Sequence, residues 1–427
     1  MPQSKFFKFL KSPALKQGMV VLVDQGLMSM VTFITGVLIA RGSSKEEYAL
    51  YMLGWSLLLA IKGVHEALIN LPFTVYAPRL SGIKLKHYQG STLLLTLVFC
   101  IFAGTLLLLA DYFNARYITS SYFELIEMSP LLMFLLTAVV FRDFLRNVLL
   151  AQLQVWASVG INGFISVMVI ASITYLFYVE QLTPINAYLL FATAFSVAAL
   201  AMFGARYSHY KLDRRLFFRH ILKNWKLGKW ALLGNFAYIG SRMSFPWLIL
   251  YFLDYKAVAM YSACLALALA PAPLLRGTGA YILPRMSHGY KDGSNKNLMR
   301  LLWKSILLLC PIYLLWLGIG VFFGDELMML VYSEKFNDAG FLFILLLIMT
   351  TIDFVSAPLI SSLQVLEQTR AVTISLIIGA LVTLILSPYF IKGYGLYGVG
   401  FLAILSMSCT VAYRVLALIM HNLRQNT

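Results

Sequence analysis

Residues 141–154, FRDFLRNVLLAQLQ, place three charges inside a segment that is otherwise apolar enough to cross a membrane. The pair DF at 143–144 is followed by LQ at 153–154, and the same two pairs occur again at 353–354 and 363–364. The two copies lie 210 residues apart, which is close to half of the 427-residue chain. This stretch therefore predicts a chain built from two copies of one unit, with charges that pair or function inside the membrane.

The composition is that of a membrane protein. The chain is 60% hydrophobic and 12% charged, with a mean hydropathy of +0.80, whereas a soluble domain is about a quarter charged. We expect an all-α polytopic membrane protein with twelve transmembrane helices. The apolar segments that predict them lie at 18–40, 48–72, 90–110, 128–150, 155–178, 185–205, 231–253, 257–282, 301–323, 339–364, 371–391 and 396–418.

The net charge of +16 is explained by topology. With the N-terminus in the cytoplasm, 25 of the 34 Lys and Arg residues fall in cytoplasmic segments or span ends, and six fall in outer loops. Such a bias predicts that both termini are cytoplasmic, in a multi-pass protein of the inner (cytoplasmic) cell membrane. The basic excess therefore gives no support to nucleic-acid binding.

The duplicated pattern predicts the domain organisation. EYALY at 47–51 matches AVAMY at 257–261, and PRLSG at 78–82 resembles the start of PRMSHG at 284–289. Six spans per repeat give parallel repeats, an arrangement of transporters that work by alternating access. We expect a bundle over 1–205, a basic linker over 206–230 and a second bundle over 231–427. The linker is amphipathic, which favours a helix on the inner leaflet over a partner-binding site.

Three motifs carry a resemblance to a known family. EEYALY follows the first span, LQVLEQT ends the tenth, and YGLYGVG leads into the twelfth. With them, nearly the whole chain resembles the polysaccharide transporters and O-antigen flippases of the multidrug/oligosaccharidyl-lipid/polysaccharide (MOP) exporter superfamily. The resemblance implies a MATE-like fold of two six-helix bundles. It also implies a flippase that moves a polyprenyl-diphosphate-linked oligosaccharide to the outer leaflet for cell-surface polysaccharide biosynthesis.

An ion-coupled multidrug exporter of the same fold is the alternative function. The sequence contains no nucleotide-binding loop, no metal-ligand spacing and no hydrolytic constellation, so we expect neither an enzyme nor a bound cofactor. The partners to expect are the lipid-linked glycan, membrane lipids, H⁺ or Na⁺ as a coupling ion, and polysaccharide polymerase machinery.

Cations inside the spans are candidates for binding an anionic headgroup. Arg142 and Arg146 share a helix face and could clamp a diphosphate, or Asp143 could neutralise Arg146. Arg242 has no acidic residue nearby in the sequence, which makes it the strongest candidate. Two further candidates are Lys62, which could instead pair with Glu66 four residues on, and Arg276, which could instead reach the membrane surface.

Carboxylates and one histidine inside the spans are candidates for ion coupling. Asp24 and Asp353 are the leading ones, and either could instead pair with an arginine across the cleft between the bundles. His65 titrates near neutral pH in water, and Glu66 lies beside it. For His65 and Glu66 the competing interpretation is a structural role beside Lys62.

Overall fold

The computed structural model of the protein describes residues 13–117, 128–272, 286–287, 290 and 295–426, and the regular elements in those ranges are all helical. Seven of the described helical segments are long and apolar enough to span a membrane. Together with the shorter or more charged helices between them, they confirm the predicted all-α fold with twelve transmembrane helices. Contacts divide the chain into two compact units, Met1–Asn235 and Phe236–Thr427.

Six membrane-crossing segments make up the first unit, in which short polar caps begin several helices. The Ser44 hydroxyl accepts a hydrogen bond from the Glu47 N–H, and the Glu47 carboxylate accepts one from the Ser44 N–H, a capping box that starts the second span. In chain order the helices are α1 (Pro13–Gly42), α2 (Lys45–His65), α3 (Leu71–Tyr76), α4 (Gly82–Tyr117), α5 (Ser129–Ala151), α6 (Val155–Tyr178) and α7 (Pro184–Gly204).

A π-helical turn, Glu66–Asn70, joins α2 to α3, so the two form one continuous segment. A second π-helical turn, Ile239–Met243, follows α8 (Arg214–Tyr238), which leads into the second unit. Such turns are rare in proteins, and those that occur are often found at functional sites. The remaining helices are α9 (Phe245–Phe252), α10 (Tyr255–Ala268), α11 (Asn295–Tyr332), α12 (Gly340–Val355), α13 (Ala357–Val365) and α14 (Thr369–Asn426).

Gly395 separates the last two spans within α14. Its φ of 57° lies in the left-handed region, which glycine adopts without steric cost. The bend falls between the predicted segments 371–391 and 396–418. The glycine of the YGLYGVG motif therefore allows the chain to turn between two spans.

Helix boundaries show the duplication directly. α1 ends at Gly42 and α9 at Phe252, and the N-cap residues of the next helices are Ser44 and Asp254. Both pairs are 210 residues apart. Later the offset grows to 214, since α6 begins at Val155 and α14 at Thr369. The extra four residues follow a break between α12 and α13 at Ser356, so the second copy is longer by about one helical turn.

The DF pair has the same packing role in both units. Phe144 is fully buried and meets Phe73 edge-on with ring centroids 5.5 Å apart. Phe354 packs against Tyr313 with centroids 4.4 Å apart. In each copy the phenylalanine anchors the fourth span in an apolar cluster, and the preceding aspartate lies at a cluster of charged and polar side chains.

The segment predicted as a linker is largely the first part of α8. Backbone N–H groups of Arg215 and Leu216 donate to the Asp213 carboxylate at the start of the helix and hold its pKa below the ordinary value. Gly228 lies against the π-helical turn after α2, where a Cβ would come within 2.8 Å of the Ala67 carbonyl oxygen. The predicted division at 205 and 230 stays a prediction, as does the cytoplasmic placement of both termini.

Candidate functional site

Asp24 is the centre of a polar cluster in the first unit. It lies on α1, and 1% of its surface is exposed. Its carboxylate forms an ion pair with Arg146 of α5 and accepts a hydrogen bond from the Asn162 amide at 2.6 Å, while the Ser158 hydroxyl lies at 3.5 Å. A carboxylate this deep in an apolar helix bundle is stable only with such partners.

Asp143 is the second carboxylate of the cluster. Its two oxygens lie 2.5 Å from Lys62 Nζ and 2.5 Å from Arg142 Nη1, respectively. Arg142 Nη2 donates to the Asn162 side-chain oxygen at 2.7 Å. Because the Asn162 amide also donates to Asp24, it connects the two carboxylates and their cations into one network across α1, α2, α5 and α6.

Arg142 is the most enclosed cation of the network. Its guanidinium carbon lies 4.9 Å from the centre of the Phe195 ring, and Nη2 lies 3.4 Å from the Met28 sulfur. Its Nε has no hydrogen-bond acceptor among the described residues. The exposed fraction of the side chain is 8%, compared with 17% for Arg146 and 33% for Lys62. Arg142 therefore holds the network together, whereas Arg146 and Lys62 have surface with which to meet a ligand.

Two pairings expected from the sequence are wrong. Lys62 binds Asp143 rather than Glu66, and Asp143 binds Arg142 rather than Arg146. Glu66 is exposed and accepts a hydrogen bond from the Asn70 amide at 2.8 Å. Helical spacing shows which partners share one helix, but the carboxylates that pair with Lys62 and Arg146 lie on neighbouring helices, and Arg142 takes the adjacent Asp143 of its own helix.

His65 is buried beside the network and has a partner of its own. Its Nε2 lies 3.1 Å from the Thr96 hydroxyl, which itself donates to the Thr92 carbonyl at 3.0 Å. Because a hydroxyl has one proton to donate, Thr96 accepts from His65, which assigns the proton to Nε2. The structure thus places His65 in a satisfied hydrogen bond within the bundle, and its coupling role stays a prediction.

Arg242 and Asp353 form the corresponding pair in the second unit. Arg242 lies in the π-helical turn after α8, and both of its terminal nitrogens donate to the Asp353 carboxylate of α12, one at 2.7 Å. Arg242 Nη2 also lies 3.2 Å from the Met407 sulfur. The expectation that Arg242 is unpaired is wrong, because the partner is 111 residues away in sequence and adjacent in the fold.

Arg414 is a buried cation that the distribution of charges does not reveal, because it lies near the end of the last predicted span, 396–418, where cytoplasmic cations are expected. It is 1% exposed, and its guanidinium donates to the hydroxyls of Ser375 and Ser356, each at 3.0 Å. A signal was present in the sequence. Ser406, Thr410 and Arg414 follow one another at intervals of four, and all three are buried, which places a polar row on one face of an apolar helix.

The same signal marks α6 in the first unit. Ser158, Asn162 and Ser166 recur at intervals of four and are all buried. Two of them contact Asp24. Neutral polar residues at helical spacing within an apolar segment therefore identify the helix that supports the charges, a signal that the ionisable residues alone do not give.

The other predicted site residues are placed as follows. Asp24 and Asp353 each pair with an arginine, but the partner lies in the same unit rather than across a cleft. Arg276 lies outside the described residues. Among the described residues, no three His, Cys, Asp or Glu side chains are grouped as a metal site.

Solved structures share this fold. The chain is 15% identical to an inward-facing MATE family multidrug transporter of the MOP superfamily, with a TM-score of 0.73 and coverage of 93% of this chain and 94% of that one. The chain is 15% identical to the lipid II flippase MurJ in an inward closed conformation, with a TM-score of 0.74 and coverage of 94% of this chain and 87% of that one. It is 12% identical to a MOP superfamily transporter from Pyrococcus furiosus, with a TM-score of 0.61 and coverage of 95% of each chain.

Comparison with family models and with curated protein sequences gives no match. The identities to the solved structures are low, so they establish the fold and leave the substrate open. The chain has the fold that the MATE family multidrug transporter of the MOP superfamily and the lipid II flippase MurJ share.

Proposed function

We propose that the protein is a flippase that moves a polyprenyl-diphosphate-linked oligosaccharide from the inner to the outer leaflet by alternating access. The observation that carries this proposal is the charge of the two buried clusters. The first unit holds three cations and two carboxylates. The second holds Arg242 and Arg414 with one carboxylate. Each cluster has one net positive charge among its described members, which favours an anionic ligand in the membrane interior.

The cations that are both paired and partly exposed are the ones suited to a diphosphate. They are Lys62, Arg146 and Arg242, with exposed side-chain fractions of 33%, 17% and 24%. A guanidinium donates two parallel hydrogen bonds to phosphate oxygens as readily as to a carboxylate. A diphosphate can therefore replace Asp353 at Arg242, which donates two hydrogen bonds to that carboxylate, and it can replace Asp24 at Arg146, which donates one. Arg142, enclosed by Phe195 and Asn162, positions the others.

The alternative is an ion-coupled multidrug exporter. Cationic drugs need free carboxylates, and Asp24, Asp143 and Asp353 are each occupied by a cation of the protein. For the Pyrococcus furiosus transporter, reverse polarity of the binding pocket suggests a different function. The net positive charge of both clusters supports an anionic substrate for this protein.

Ion coupling fits the same pairs. When an anionic headgroup takes Arg146, the Asp24 carboxylate loses its cation while Asn162 and Ser158 stay beside it. A proton or Na⁺ can then restore neutrality. Asp353 is in the same position when Arg242 is taken, so both aspartates are proposed as coupling groups. Glu66, which is exposed and contacts Asn70, is a weaker candidate for this role.

The first part of α8 is proposed to lie on the cytoplasmic surface of the inner membrane. Its exposed residues combine five cations with large apolar side chains, a composition suited to anionic lipid headgroups. The exposed residues of α8 are Arg214, Arg215, Arg219, Lys226 and Lys229, with Phe218, Leu222, Trp225 and Trp230 beside them.

Polysaccharide polymerase machinery is the proposed protein partner, since it would consume the flipped glycan.

Leaflet-resolved transport in proteoliposomes tests the proposal. A polyprenyl-diphosphate glycan is added to one leaflet, and its appearance in the other is followed for wild type, Arg242→Gln and Arg146→Gln. Arg370→Gln removes an exposed cation of the second unit and serves as the matched control. We expect about a tenfold or greater loss of transport in the first two variants and wild-type rates in the control. Equal rates in all four proteins would refute the headgroup role.

A further inference from the structure

Arg414 has contacts that its surroundings alone do not explain. A guanidinium that is 1% exposed inside a helix bundle is expected to contact a carboxylate. Its two hydrogen-bond partners are instead the neutral hydroxyls of Ser375 and Ser356. Among the described residues, the carboxylate whose charge acts on Arg414 is that of Asp353, which is engaged by two hydrogen bonds from Arg242.

Ser356 brings Arg414 to the same end of α12 as this pair. The Ser356 hydroxyl donates to the backbone carbonyl of Asp353 at 2.7 Å and accepts from Arg414 at 3.0 Å. Asp353 and Ser356 are three residues apart, so they lie on one face of the helix. Asp353 therefore has one cation bound to its carboxylate and a second cation held one helical turn away.

The duplicated register gives this position a counterpart. Ser356 lies 210 residues after Arg146, and Asp353 lies 210 residues after Asp143. Where the first copy carries an arginine on the fourth span itself, the second copy carries a serine that binds the guanidinium of Arg414 from α14. The second unit thus supplies its extra buried cation from another helix.

We propose that Arg414 is a positioning residue that acts as the reserve counterion of Asp353. When the anionic headgroup binds Arg242, the Asp353 carboxylate turns to Arg414, so that Arg242 can be released without leaving a buried carboxylate unpaired. This inference rests on the proposed function, because it assumes that Arg242 binds the headgroup. It adds a residue that touches no substrate yet determines how readily Arg242 becomes available.

A double-mutant cycle that compares ligand affinity in variants of Arg414 and Asp353 tests the inference. The probe is farnesyl diphosphate, titrated calorimetrically into the full-length protein in nanodiscs. We expect Arg414→Gln to weaken binding about tenfold, since a coupling of roughly 1.4 kcal/mol corresponds to that factor. In the Asp353→Asn background no carboxylate needs a counterion, so Arg414→Gln is expected to change affinity less than twofold. Arg414→Lys keeps the charge and is expected to keep most of the affinity.

The outcomes separate this inference from the proposed function. If Arg242→Gln leaves binding unchanged, or wild type does not bind the probe, the proposed function fails and the reserve-counterion role fails with it. If Arg242→Gln weakens binding but Arg414→Gln does not, only the role of Arg414 is refuted. Equal losses from Arg414→Gln in both backgrounds would show a general attraction of the anion or a structural effect, which also refutes it. Thermal unfolding of each variant identifies any that fails to fold.

Discussion

Each unit has one ion pair between its first and fourth spans, and the two pairs have opposite polarity. In the first unit the carboxylate, Asp24, is on the first span and the guanidinium, Arg146, is on the fourth. In the second unit the guanidinium, Arg242, is in the π-helical turn of the first span, and the carboxylate, Asp353, is on the fourth span. The pairs also differ in register, because Arg242 corresponds to Thr32 at an offset of 210.

This difference shows which part of the duplicated pattern the fold requires. Helix boundaries and the packing of Phe144 and Phe354 are kept in both copies. The charges that surround Asp143 and Asp353 come from different helices in each copy. Pairing between the first and fourth spans is therefore common to both units, and its polarity is free to differ.

Reversing the pair in the second unit gives the largest expected effect. Arg242→Asp brings two carboxylates together and Asp353→Arg brings cations together, so each single reversal is expected to cost about 3–5 kcal/mol of stability. The double reversal gives the second unit the polarity of the first and is expected to recover at least half of that loss. Thermal unfolding in detergent measures all three. If the double variant were no more stable than the less stable single variant, the polarity of the pair would not be free to differ between the units.

Removal of one carboxylate tests the different redundancy of the two clusters. Asp353→Asn leaves Arg242 and Arg414 without a carboxylate among the described residues, and we expect a loss of about 3 kcal/mol. Asp24→Asn leaves Asp143 in the first unit to neutralise part of its cluster, so its loss is expected to be smaller. Denaturation midpoints show which variant loses more stability. A larger loss for Asp24→Asn would show that the burial of Asp24 matters more than the second carboxylate of its cluster, Asp143.

The Asn162 amide bridges two groups of the first unit, and no described side-chain amide of the second unit contacts Asp353 or Arg242. Asn162→Leu removes one hydrogen bond from Asp24 and one from Arg142, with an expected cost of roughly 2–3 kcal/mol because both partners are buried. Ser166→Ala on the same helix face removes only a hydroxyl that donates to the Asn162 carbonyl and is the matched control. If both variants unfold at the same temperature, the network does not depend on this amide.

Lys62→Gln is the mildest of the changes. Its side chain is 33% exposed, and Asp143 keeps Arg142 when Lys62 is lost. Exposure weakens the pair, so the expected loss of stability is about 1 kcal/mol. Transport should fall more clearly than stability, since Lys62 is proposed to meet the headgroup. Wild-type transport in this variant would remove Lys62 from the proposed binding set.

The sequence predicted the helices better than the contacts. Hydropathy and the 210-residue repeat predicted twelve spans and two similar halves, because apolar length and spacing are properties of single segments. The partners of Arg242 and Lys62 depend on which helices pack together, and a single sequence does not contain that information. Arg414 and Asn162 differ in this respect, because the polar rows that contain them are visible in the sequence as residues spaced four apart within apolar segments.

The most direct test of the central claim compares ligands of opposite charge on the same protein. Binding of farnesyl diphosphate and of tetraphenylphosphonium to the protein in nanodiscs is measured for wild type, Arg242→Gln and the control Arg370→Gln. If Arg242 binds an anionic headgroup, wild type and the control bind the diphosphate more tightly than the phosphonium cation, and Arg242→Gln loses that preference. Tighter binding of the phosphonium cation by wild type, with diphosphate binding unaffected by Arg242→Gln, would contradict this claim.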